Sequence, residues 1–233
     1  LVDGNYDQAF DLSIQAAETF GWYCRNTGFN PFTAEGKKTA AFEIWEQVIA
    51  KQNLKKSLCV FVSVGDGNII SGLHKGFKDL KALGWLENMP RIFGVQSVGS
   101  AAIANAYENG NEEISAVRAD TLADSISVDM PRDGLRALRA ATQTNGAYIK
   151  VSDEAILEGI ARLGVEGIFA EPAASTAFAG LQKAIQSDLI TSQDPVVVMS
   201  TGSGLKDVNA AQKSVKAAPI IAPNLTALKK AMK

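Results

Sequence analysis

Histidine and cysteine are almost missing from this chain of 233 residues, which has one of the first and two of the second. A lone imidazole removes every metal site built on paired histidines and most schemes in which a histidine activates a serine or cysteine nucleophile. His74 therefore reads as a helix-flank residue, and no metal site is expected. Cys24 and Cys59 stand beside bulky apolar or aromatic neighbours in a chain large enough to need no disulfide, so both read as buried thiols. A basic excess is missing too: 23 Lys and Arg face 25 Asp and Glu, a net charge of -2 that draws the chain neither to nucleic acid nor to anionic lipid. Apolar runs such as residues 58–62 fall far short of the roughly 20 residues that span a bilayer. The opening residues show no basic region followed by an apolar one. The expectation is a soluble, cytoplasmic protein without nucleic-acid or membrane partners. With 46% hydrophobic and 21% charged residues and only seven prolines, disordered and collagen-like classes are excluded.

What is present is an alternation of short apolar bursts with stretches of 3.6-residue period, the pattern of an α/β protein with an open, mostly parallel sheet covered by helices on both faces. Residues 58–64 and 195–200 are the strongest predicted strands, each rich in Val and bounded by turn residues. Residues 91–96, 147–151 and 167–170 are shorter candidates. Apolar stripes at Phe42, Trp45, Val48 and Ile49, at Ile70, Leu73, Phe77 and Leu80, and at Ala174, Ala177, Phe178, Leu181 and Ile185 mark helices. Ser152, followed by Asp153 and Glu154, has the chemistry of a helix N-cap. Residues 1–34 differ in character: a strand-like start at 1–3, a helix over about 6–20, then a loop rich in Gly, Asn and Pro. They read as part of a small domain and a crossing loop, ahead of a larger domain over 35–233. A final short helix follows the Lys-, Ala- and Pro-rich stretch from Lys213.

Two glycine-rich turns carry the chemistry. In the first, a buried strand runs into Val64-Gly65-Asp66-Gly67-Asn68 and then into an amphipathic helix. Two glycines let successive N–H groups converge and the helix end adds positive potential, so a phosphate can be held without a basic side chain. No Lys follows the last Gly, which excludes a Walker loop, and Ile70 replaces the third glycine of the dinucleotide fingerprint. The plainer reading is a strand-to-helix turn that needs glycine for its backbone angles. The second feature is Ser200-Thr201-Gly202-Ser203-Gly204-Leu205-Lys206-Asp207, which puts hydroxyls at the C-terminal edge of a strand, where open α/β sheets bind ligands. Paired acids such as Glu112 and Glu113, or Asp120 and Asp124, read as solvated faces.

These segments, together with Gly4-Asn5-Tyr6-Asp7-Gln8-Ala9, Thr27-Gly28-Phe29-Asn30-Pro31, Glu35-Gly36-Lys37-Lys38-Thr39, the stretch 119–128 and Phe169-Ala170-Glu171-Pro172-Ala173-Ala174, occur in an order that resembles the threonine synthases. These are pyridoxal-phosphate enzymes of the tryptophan-synthase-β-like fold. The resemblance implies a cofactor, pyridoxal 5'-phosphate, and a reaction that turns O-phosphohomoserine and water into threonine and phosphate, with the cofactor as electron sink. It implies that Gly65, Asp66, Gly67 and Asn68 cradle the cofactor phosphate, that Thr201 faces the pyridine nitrogen, and that Asn5 and Asn30 contact the substrate phosphate. It gives Glu171 no chemical role.

One departure stands out. The family's Schiff-base lysine, in a Ser-Phe-Lys-Asp-type segment, and the asparagine that follows it do not occur here, and Lys37, Lys38 and Lys206 lie in other motifs. No catalytic residue is therefore assigned within this sequence. The chain reads as the C-terminal part of such an enzyme, inactive by itself, and either self-associating or packed against the upstream half. The competing readings are another enzyme of the same fold, a threonine dehydratase or cysteate synthase, and a non-catalytic phosphate-binding module.

Overall fold

Four apolar segments become the parallel strands β1 (Cys59–Ser63), β2 (Arg91–Ser97), β3 (Ala147–Val151) and β4 (Val196–Val198), in the order β3-β2-β1-β4. This architecture is that of a computed structural model, which describes residues 1–232. Side chains alternate across a strand, so β1 feeds two cores. Val60 and Val62 join Leu73 and Phe77 of α4 (Asn68–Ala82) and Leu138 of α6 (Gly134–Thr142). Cys59 and Phe61 join Ile149, Ile156 of α7 (Asp153–Val165) and Ala177 of α8 (Pro172–Gln186). All five residues of β1 are buried, because helices cover both faces. Phe61 lies opposite Phe93, their rings stacked 4.6 Å apart.

Local chemistry sets the helix ends. Asn5 and Gln8 form a reciprocal capping box at the start of α1 (Tyr6–Phe20), which buries none of its residues. Asn30 accepts from the Phe32 N–H and Pro31 fills the first turn of α2 (Pro31–Lys37). The helix α3 (Thr39–Ile44) continues into a wider π turn (Trp45–Ala50), and Trp45 there stacks on Trp85 at 5.1 Å. Ser152 caps α7 by accepting from Ala155. The remaining helices are α5 (Ala102–Glu108), α9 (Val208–Lys213) and α10 (Leu225–Ala231).

The structure departs from the sequence expectations in four places. Residues 167–170 form no strand, only a single antiparallel bridge between Ala170 and Ser203. Gly167 at φ +78° ends α7 and Pro172 opens α8, leaving no length for one. Residues 1–3 are not a strand, since nothing pairs with them. β4 shrinks to three half-buried residues, pairing with β1 only over Val196–Val198 before the chain turns toward the Ala170–Ser203 bridge. Cys24, placed in a surface loop, is half-buried, whereas Cys59 is fully enclosed.

Candidate functional site

The C-terminal ends of β1 and β4 open into a cleft of about 640 Å³, the position at which open parallel sheets bind ligands. Its floor is the turn after β1. Val64 still donates to Val95, and then the chain leaves the sheet. Gly67 adopts φ +93°, and a Cβ there would meet the Ala137 Cβ at 2.5 Å and the Asp133 carbonyl at 3.0 Å. A Cβ on Gly65 would meet the Ile126 Cα at 2.9 Å. Both missing side chains thus point into the protein, against α6 and the 119–128 loop, and the amide edge is left facing the cleft. Among the described residues, no backbone N–H of residues 65–70 finds an acceptor in the chain; Ser71 is the first to bond back, to the Gly67 carbonyl. Unsatisfied amides converging at the N-terminus of a 15-residue helix form a cradle for an anion.

Asp66 and Asn68 serve the cradle from behind. The Asp66 carboxylate accepts from the Tyr6 hydroxyl at 2.5 Å and the Arg132 N–H at 3.1 Å, and its carbonyl accepts from Asp133 at 2.9 Å. Burial raises its pKa above the usual carboxylate range, and the same burial with the Asp66 hydrogen bond pushes the Tyr6 phenol up. The Asn68 amide donates to Asp133 at 3.0 Å, while its Oδ1 is buried with no partner. Asp133 also holds Arg136.

A second wall is the loop 119–128. Asp153 accepts from Thr121 Oγ1 at 2.6 Å, Leu122 N–H at 2.8 Å and Ser97 Oγ at 3.1 Å. Ser100 ties down Ile126 and Val128. The third wall comes from the turn after β4. Thr201 is exposed in the cleft. Beside it the buried Glu171 holds Lys206 Nζ at 3.3 Å and accepts from Ser125 at 3.4 Å.

The structure brings Gly65, Asp66, Gly67, Asn68, Thr201 and Asn5 to this one cleft. Asn5 spends its oxygen capping α1, and its amide donates to Asp129 at 3.2 Å. Asn30 lines a separate groove near Trp22 and Phe32, where its amide donates to Tyr23 and the Cys24 carbonyl. Sequence reasoning passed over Lys37, which lines the cleft and whose pKa is lowered by burial and by the Arg25 charge. Its neighbour Lys38 points outward to Glu35 and Asp79 at 2.6 and 3.1 Å, and the identical pair of letters hides that split. The run Gly76-Phe77-Lys78-Asp79 approaches the family lysine segment in letters, but it lies within α4 with Lys78 exposed and off the cleft. His74 is buried on α4, and desolvation with the Lys78 charge lowers its pKa to about 4. Glu112 pairs with Arg139 on the surface, and no group of metal-ligating residues exists among the described residues. None of their helices is long and apolar enough to cross a membrane.

An open parallel sheet with unsatisfied amides where a strand turns into a helix is the arrangement at which α/β proteins bind anionic ligands. The comparisons with known proteins make this specific. Residues 1–202 match the family model described as pyridoxal-phosphate dependent enzyme, and the chain belongs to that family. It is 34% identical over its whole length to threonine synthase of Methanocaldococcus jannaschii, covering 56% of that protein. With threonine synthase of Synechocystis sp. it shares 35% identity over 99% of the chain and 57% of the relative. The chain thus spans under three-fifths of the length of these relatives. Among solved structures, the processed form of threonine deaminase isoform 2 from Solanum lycopersicum superposes with a TM-score of 0.71 at 21% identity, over 92% of this chain and 55% of that one. Diaminopropionate ammonia lyase from Escherichia coli also reaches 0.71, at 17% identity over 91% of this chain and 57% of that one. These two likenesses show the fold.

Proposed function

We propose that the chain is the C-terminal part of a threonine synthase, whose complete form converts O-phosphohomoserine and water to threonine and phosphate. The observation that carries this is the full-length similarity to threonine synthases of separate organisms, on a chain that builds an amide cradle at the required place. Residues 1–34 belong to the small domain, and 35–233 form the large, cofactor-phosphate-binding domain of a cytoplasmic biosynthetic enzyme.

Pyridoxal phosphate, when bound, supplies an electron sink for carbanion chemistry. This chain's residues bind and orient. The amides of residues 65–70 hold the phosphate, with Gly65 and Gly67 allowing the turn and Asp66 and Asn68 bracing it against Arg132 and Asp133. Thr201 presents a hydroxyl to the pyridine nitrogen, a neutral partner that hydrogen-bonds the ring without fixing a proton on it. Asn5 and Asn30 are assigned to the substrate phosphate, and the position of Asn5 at the cleft supports its share more directly. The 119–128 loop and α1 shield the site from water. The Schiff-base lysine is not among these 233 residues, so the chain by itself is inactive.

The gene product that carries this sequence, supplied with pyridoxal phosphate, is expected to release phosphate and threonine from O-phosphohomoserine. Production of 2-oxobutyrate from threonine, with no phosphate release, would instead assign it to the dehydratases. The 233-residue chain alone should do neither.

A further inference from the structure

We propose that Lys37 is the cation of the phosphate cradle, its ammonium taking an oxygen of the phosphate monoester that the amides of residues 65–70 hold. This rests on the reading that the turn binds the cofactor phosphate, and it adds a side chain to a site that otherwise works through backbone alone.

The placement comes from Gly72, one turn into α4. A Cβ there would meet the Lys37 Cβ at 2.7 Å and the Ala34 carbonyl at 3.1 Å, so the last turn of α2 lies against the first turn of α4. From that point the Lys37 stem reaches the cleft, which it lines together with the cradle. Asp66 in the turn and Asp133 at the start of α6 are the carboxylates whose charge acts on it. The lysine therefore borders the cleft beside the start of α4.

The other cations bordering the turn and the cleft are committed. Arg132 is engaged by Asp7 and Asp11 at 2.9 and 3.0 Å, Arg136 by Asp133, and Lys206, the second lysine of the cleft, by Glu171. Arg25 is exposed and faces a different groove. Lys37 forms no ion pair or hydrogen bond among the described residues. A phosphate dianion seated beside two carboxylates meets repulsion that half a charge from a helix end does not cancel. An uncommitted, half-buried ammonium beside the same turn does, and it lies where a charge-assisted bond is strong.

Three ligands on the 233-residue chain test this: pyridoxal phosphate, pyridoxal and inorganic phosphate, measured by equilibrium dialysis and phosphorus NMR. Lys37→Met should weaken pyridoxal phosphate about tenfold and leave pyridoxal unchanged. Lys37→Arg should restore most of the loss, and Lys38→Met should do nothing. Gly72→Ala, which keeps the amine but displaces its stem, should give an intermediate loss; an unchanged urea midpoint in Lys37→Met separates its loss from a folding defect. Inorganic phosphate should compete with pyridoxal phosphate for the cradle and weaken in the same order across the variants, which separates a general phosphate site from one that needs the ring.

Binding by Lys37→Met at the wild-type level, while Gly67→Val loses pyridoxal phosphate, would overturn the role of Lys37 and leave the cradle standing. A wild-type chain with no preference for pyridoxal phosphate over pyridoxal would overturn both. Equal losses for the two in Lys37→Met would put the lysine at the ring, and a stoichiometric pyridoxyl group on Lys37 after borohydride would make it a carbonyl-reactive amine. Either result overturns the proposal.

Discussion

The turns after β1 and β4 are built from nearly the same residues and do opposite things with them. After β1, Gly65 and Gly67 direct their missing side chains inward and leave a row of amides empty. After β4 the later groups are spent internally: Gly204 donates to Phe169, Lys206 to Ser203, Leu205 to the Ser203 hydroxyl, and the Gly202 carbonyl accepts from Glu171, while the N–H groups of residues 200–203 find no acceptor among the described residues. The first turn offers its backbone at the start of a 15-residue helix, and the second offers a side chain, Thr201, beside the buried Glu171 carboxylate. Glycine content marks both as close-packed; the long helix that opens at the first and the carboxylate that crowds the second decide which one suits an anion.

The largest effect separates the strands that carry the turns. Phe61→Ala, in the stacked centre of β1, should cost about 3–5 kcal/mol in urea unfolding, while Val197→Ala on the half-buried edge should cost about 1. Similar costs would erase the distinction between a rigid and a pliable support. Next, Gly67→Val forces a branched residue to φ +93° against Ala137 and Asp133, and should cost about 2–4 kcal/mol and abolish detectable pyridoxal phosphate binding by dialysis. Gly202→Ala meets the buried Glu171 carboxylate, which must leave Lys206 and Ser125 to make room, and should cost about 1–2 kcal/mol. At Thr201, in the complete enzyme, Val should lower turnover by the worth of one hydrogen bond, about 0.5–1.5 kcal/mol, and Ser should keep most activity. Unchanged turnover and absorption spectrum in both Thr201→Val and Thr201→Asp would remove Thr201 from the ring.

The smallest effect is a pH dependence confined to the first turn. The pKa of Asp66 is raised by burial, so the folded state holds its proton more tightly than the unfolded chain. Its contribution is full below the ordinary carboxylate pKa near 4 and is lost as pH rises through the folded value. Relative to Asp66→Asn, the wild type should therefore lose stability across that window, read as a shift between their urea midpoints. A flat difference would mean the carboxylate is not desolvated.

Strands β1, β2 and β3, the stripe of α4 and the cap at Ser152 were legible because period and end chemistry agree there. The length of β4 was not: residues 195–200 look apolar enough for a longer strand, but the chain leaves the sheet after Val198 toward the bridge between Ala170 and Ser203. The strand-to-helix turn was legible in Val64-Gly65-Asp66-Gly67-Asn68, but the reason for its glycines was not. They make room for Ile126 and Ala137, which are 61 and 70 residues away in the numbering. Asn30 reads equally well as a ligand or a cap, and in the structure its oxygen caps α2. Lys37 and Lys38 could not be told apart without knowing which side of α2 meets Gly72.

The helix α1 hides no side chain, yet it stands at the mouth of the cleft, fastened by Tyr6 to Asp66, Asp7 and Asp11 to Arg132, Asn5 to Asp129, and the Arg132 guanidinium lying 4.5 Å from the Phe10 ring centre. A segment held by charge and not by burial detaches at a fraction of the cost of unfolding the sheet, and its amides exchange with solvent first. Its grip weakens as ions screen those pairs over distances of about 8–10 Å, whereas the stacked aromatics of β1 and β2 are indifferent to them. Raised ionic strength is therefore expected to speed amide exchange in α1 and to leave exchange in the sheet unchanged.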